Sequence, residues 1–96
     1  MTEIKILKEA GSFAENKDIA KRIREKKIMP ALEAGNPLIL DFEGVDSSTQ
    51  SFIHVLISEL IRTNGPNVLD EISFKNCNTT VEKIIKIVVY YMQDTI

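Results

Sequence analysis

The sequence predicts a small α/β domain, with a mixed or mostly parallel sheet of three to four strands alternating with helices in the order β-α-β-α-β-α. Three short apolar segments, at Thr2–Lys8, Pro37–Phe42 and Ile72–Phe74, read as strands. Each is followed by apolar residues at helical spacing, introduced by residues that cap helix starts. Strand-helix alternation of this kind implies helices covering a sheet, with at least the later strands parallel. A chain of 96 residues is expected to form one domain spanning 1–96.

Taken in order, Thr2–Lys8 alternates, with Ile4 and Ile6 on one side and Lys5 and Leu7 on the other. Ser12 and Glu15 have the spacing of a capping box, and Asn16 is a second candidate cap. The helix that follows has Ile19, Ala20 and Ile23 as its apolar stripe and lysines and arginines on its wet face. Pro30 predicts a kink, or a second helical turn that ends near Gly35. Asn36-Pro37 is a turn signal. Pro37 to Phe42 then reads as a central strand buried on both faces, an apolar run with a carboxylate, Asp41, near its end.

Glu43 to Asp46 reads as a loop, and the strongest helix of the chain follows it. Phe52, Ile53, Leu56, Ile57, Leu60 and Ile61 make one face, with His54, Ser58 and Arg62 largely opposite. Asp46, Ser47, Ser48 and Thr49 supply candidate caps, and Asn64-Gly65-Pro66 is a stop. Ile72–Phe74 is the third strand, with Val68 and Leu69 as a candidate extension. Asn76 to Asn78 is a turn, and Thr79 with Glu82 is a capping box for a helix that runs to about Met92.

Composition excludes several classes. A net charge of −2 gives no basic surplus for nucleic acid. No stretch approaches the roughly 20 apolar residues of a membrane span, and Met1 to Lys8 lacks a secretory apolar run. The single cysteine, Cys77, cannot form an internal disulfide. These features predict a cytoplasmic protein that does not bind membranes.

The segment from Leu38 to Phe52 carries the chemistry. A strand ends in acid, a short loop follows, and a helix opens on hydroxyls. These hydroxyls fit two roles. Ser47, Ser48, Thr49 and Ser51 suit local capping. They also suit a phosphoryl acceptor, because a helix start accommodates phosphate and phosphorylation changes local charge by about −1.5 to −2. Asp46 would set the electrostatics beside such a group. Asp41, Glu43 and Asp46 are a weaker candidate site for magnesium, as an enzyme or phosphoacceptor would use it. His54, the one histidine, has no triad partner in the sequence and suits partner contact better than catalysis. Cys77 has no companion thiol.

The same residues carry a resemblance. Asp-Phe-x-Gly-Val-Asp-Ser-Ser between a strand and an apolar helix resembles the central motif of STAS domains, the fold of bacterial anti-sigma factor antagonists. The match is closer to STAS-like domains of unknown function. It rests on Gly11-Ser12-Phe13-Ala14, Leu40 to Val45, Ser51-Phe52 and Phe74 to Asn78. The resemblance implies a STAS-like fold and a non-enzymatic regulatory role, with no cofactor. It implies a protein partner such as a histidine-kinase-like ATPase or anti-sigma-type kinase. It places the phospho-acceptor on Ser48, with Asp46, Ser47, Thr49, Ser51 and His54 as partner contacts. Thr49 stands where the STAS pattern has glycine. An alternative is a phosphate-independent adaptor, with the broad apolar girdle and Tyr90 and Tyr91 of the last helix joining copies into a homodimer.

Overall fold

A computed structural model describes residues 2–94. Three parallel strands form the main sheet: β1 (Thr2–Lys5), β3 (Leu38–Asp41) and β5 (Ile72–Lys75), in the order β1-β3-β5. Two residues each of β2 (Phe13–Ala14) and β4 (Ser47–Ser48) make a second parallel pair. The helices are α1 (Ile6–Ala10), α2 (Lys17–Ile23), α3 (Met29–Glu33), α4 (Gln50–Asn64) and α5 (Thr79–Asp94). The expected α/β alternation with parallel strands is therefore present, and β1 joins parallel to β3.

Register separates the two faces of the sheet. Thr2, Ile4, Leu38, Leu40, Ile72 and Phe74 share one face, which is mostly buried. Glu3, Lys5, Ile39, Asp41, Ser73 and Lys75 share the other, where four of the six are exposed. Since the strands lie in chain order, successive right-handed crossovers move the same way and place their helices on one face. The layer on the apolar face is built around α4, which packs against α2 on one side and α5 on the other. Phe52, Ile53, Leu56, Ile57, Leu60 and Ile61 of α4 are fully or almost fully buried there. Each such side chain contributes roughly 1.5–3 kcal/mol of burial.

Several local expectations are corrected. The first strand ends at Lys5 rather than Lys8, because its partner β3 ends opposite it at Asp41. The chain turns into α1, which still buries Ile6. Leu38–Asp41 is not buried on both faces: Ile39 is half-buried, between Glu3 and Ser73 on the polar side. Ser12 does not cap a helix. Asn16 does, its side-chain oxygen accepting from the backbone N–H groups of Asp18 and Ile19 at 2.9 and 3.2 Å.

The second helical turn expected from Pro30 to near Gly35 is present as α3, which runs on from the first helix without a gap. A π-helical segment, Arg24–Ile28, joins α2 to α3, and Pro30 falls in the first turn of α3. The wider turn brings residues five apart into line, and Ile23 and Ile28 are both buried. Val68 and Leu69 lie in a 3-10 segment, Pro66–Glu71, rather than in a strand. Ser58, expected on the outer side of α4, is buried. For α5 the cap is Asn78, whose oxygen accepts from the backbone N–H of Val81 at 2.8 Å, not Thr79.

Candidate functional site

The segment between β3 and α4 is held by two polar knots. Asp41 is 4% exposed. Its Oδ1 accepts from the backbone N–H of Glu43 at 2.9 Å and from Asn76 Nδ2 at 3.0 Å. Its Oδ2 lies 3.5 Å from Lys5 Nζ. The Glu43 backbone bond, the Asn76 amide and the Lys5 ammonium hold the carboxyl below its ordinary range despite burial. Asn76 reaches Asp41 from a left-handed backbone with φ 60°, a conformation that asparagine tolerates better than most residues.

The second knot is Asn78. Its amide donates to the carbonyls of Val45 and Asp46 at 3.3 and 2.8 Å, while its oxygen caps α5. Together the knots tie the loop after β3 to the loop after β5. Asn76 and Asn78 were legible only as turn formers, because their partners lie more than 30 residues away. Gly44 has φ +82°, a left-handed conformation that favours glycine; an added Cβ would also sit 2.6 Å from Cδ2 of the exposed Leu7 side chain, which would have to move aside.

The serines expected to stand in the open do not share one environment. Ser47 and Ser48 form β4, paired with Phe13 and Ala14. Ser48 is 3% exposed, and its hydroxyl donates to the carbonyls of Ala14 at 3.0 Å and Thr49 at 3.2 Å. The display of Ser48 on the surface is thus corrected: its side chain closes the β2–β4 contact. Thr49 is the true cap of α4, its Oγ1 accepting from the backbone N–H of Phe52 at 3.0 Å. Threonine performs that role through its hydroxyl, which glycine lacks. Asp46 is exposed and Ser47 half-buried, both tied by their backbone N–H groups to the Ser12 carbonyl.

Ser51 and His54, both exposed, are brought together on the outer side of α4. They line a groove of about 740 Å³ bounded by Lys17 of α2 and by Val88, Tyr91 and Met92 of α5. Tyr91 was expected at a contact with another chain, but its grouping with Lys17 and Arg62 was not legible in the sequence, since only the packing of three helices makes them neighbours. Arg24 helps fix that packing: its guanidinium, mostly buried, donates to the Val55 carbonyl of α4 at 2.7 Å.

Asp41, Glu43 and Asp46 do not assemble into a cation site. Among the described residues no group of three His, Cys, Asp or Glu side chains converges on a common point. Asp41 is already engaged by two donors and a lysine. Cys77 is half-buried, and its surroundings raise the thiol pKa, chiefly by desolvation and further by Glu82 and Asp41. The last helix divides its apolar girdle. Val81, Ile85, Val88 and Met92 are buried, whereas Ile87, Tyr90 and Tyr91 are exposed. Among the described residues no helix is long and apolar enough to cross a membrane.

Comparison with known proteins agrees with the motif resemblance. A family model described as a STAS-like domain of unknown function (DUF4325) matches residues 20–82. The match takes in β3, β4, α4 and β5, together with both asparagine knots, and leaves Gly11–Ala14 outside it. Comparison with curated proteins gives no match, and neither does comparison with solved structures. The chain belongs to the family of STAS-like domains of unknown function.

Proposed function

We propose that this STAS-like domain is a regulatory protein-interaction module, resembling an anti-sigma factor antagonist, that docks its partner without phosphate on Ser48. The observation that carries the proposal is the outer side of α4. There Ser51 and His54 stand exposed on a capped helix, and His54 has no side-chain partner among the described residues. Phe13, 50% exposed on the neighbouring β2, adds an apolar contact beside Ser47. A rigid surface of this kind suits recognition with little ordering cost.

By the family resemblance the partner is a histidine-kinase-like ATPase or anti-sigma-type kinase. A kinase reaches Ser51 on the folded domain, but reaches Ser48 only by parting β4 from β2. The test is to mix the protein with such an ATPase and ATP, measure binding by calorimetry and map phosphate across residues 47–51 by mass spectrometry. Complex formation with Ser48 unmodified is expected. Stoichiometric phosphate on Ser48 would overturn the phosphate-independent part, and the absence of any complex would overturn the partner class.

Exposed Ile87 and Tyr90 favour a second reading, a phosphate-independent adaptor that self-associates through α5. Sedimentation velocity separates the two, since an adaptor of this kind is dimeric without any ATPase present.

A further inference from the structure

The groove between α4 and α5 has a charge opposite to that of the chain. Acidic residues outnumber basic ones by 14 to 12 overall, yet none of the described residues lining the groove is acidic, while Lys17 and Arg62 are basic. The Lys17 ammonium has no ion-pair or hydrogen-bond partner among the described residues. Among the described residues Arg62 pairs with Glu59 alone, an exposed pair three residues apart at 3.1 Å, and such pairs are weak. The floor is apolar, with Val55 half-buried and Val88 and Met92 buried. Tyr91, 63% exposed, forms the wall from α5.

Length decides between a compact ligand and a chain. The α4 residues of the lining run from Gln50 to Arg62, a distance of about 18 Å at about 1.5 Å per residue. A trough that is long, apolar along its floor and basic at Lys17 and Arg62 matches an amphipathic helix or strand carrying carboxylates at its margins. A second copy of this groove cannot be the occupant, because cations would meet cations.

We infer that the α4–α5 groove binds an acidic, amphipathic segment of a partner protein, with Lys17 and Arg62 pairing its carboxylates and Tyr91 packing on its apolar side chains. The inference rests on the protein-interaction role proposed above and names the chemistry of what is recognised.

The probe is a synthetic peptide with leucines at helical spacing and glutamates elsewhere, compared with its lysine counterpart. Each is titrated into the isotope-labelled full chain and followed by NMR and fluorescence anisotropy. The glutamate peptide is expected to bind in preference to the lysine peptide, and to shift the resonances of Ser51, His54 and Tyr91. Lys17→Glu with Arg62→Glu should weaken the glutamate peptide about tenfold, or about 1.4 kcal/mol, and strengthen the lysine peptide. Tyr91→Ala should weaken both.

Equal binding of the two peptides would overturn the inference. So would shifts confined to the opposite side of the molecule, displacement by inorganic phosphate alone, or a dimer that the same charge reversal dissolves. If the ATPase binds but charge reversal leaves peptide selectivity unchanged, this inference falls and the interaction role stands. If no ATPase binds while the acidic peptide still selects the groove, the partner class falls instead.

Discussion

Asp41 and His54 flank the same stretch of chain and are both polar, but their situations are opposite. Asp41 is buried, accepts two hydrogen bonds and faces a lysine; His54 is exposed, and its side chain has no partner among the described residues. Ser48 and Ser51 repeat the contrast three residues apart, one bonded to Ala14 across β2–β4 and the other in the open. Polar groups spent on the chain itself set the geometry of the loop. Those left without internal partners are the ones another molecule can use at low cost, because they already keep their hydrogen-bonding capacity in water.

Substitutions that move a residue from one class to the other test this division. The largest effect is expected from Ser48→Glu, which puts a charge where a buried hydroxyl closes the β2–β4 contact. It should cost at least about 3 kcal/mol, lowering Tm by more than about 12 °C, as read by circular dichroism. An unchanged Tm would show that Ser48 is accessible after all and would break the comparison.

Asp41→Ala comes next. It removes the acceptor for Glu43 and Asn76 and should cost about 1–3 kcal/mol in urea unfolding. The same carboxylate gives a pH signature. Its pKa is lowered in the folded state, so its stabilisation is present above the ordinary aspartate value of about 3.9 and is lost as the pH falls below it. Between about pH 6 and about pH 3 the native chain should therefore lose more stability than Asp41→Asn, which keeps an acceptor but no charge. Parallel curves for the two would remove Asp41 from the structural class.

Thr49→Ala should cost about 1 kcal/mol through loss of the α4 cap, and Thr49→Gly should cost less. Ser51→Ala and His54→Ala should change stability by no more than about 0.5 kcal/mol while weakening the complex with the ATPase. A large loss of stability at either position would move it into the structural class and sharpen the boundary.

Elements dominated by periodicity were legible from residues alone. α4 was expected with the right apolar face, apart from Ser58, because six large side chains recur at helical spacing. The three sheet strands were located for a similar reason. What was missed depends on contacts between distant residues. Two-residue strands such as β2 and β4 have no period to detect. The π-helical segment Arg24–Ile28, with Ile23 and Ile28 both buried five residues apart, departs from the helical spacing that a sequence pattern detects.

The chain by itself determined an α/β alternation, the identity of the central helix and membership of the STAS-like family, since these follow from side-chain pattern and local backbone preference. Only the tertiary structure decided which serine is buried, that Asn76 and Asn78 pin the loop after β3, and that Lys17, Arg62 and Tyr91 border one groove. Burial and charge at a site are properties of what surrounds a side chain, and for these residues the surroundings arrive from β2, α2, α5 and the turn after β5, far away along the chain.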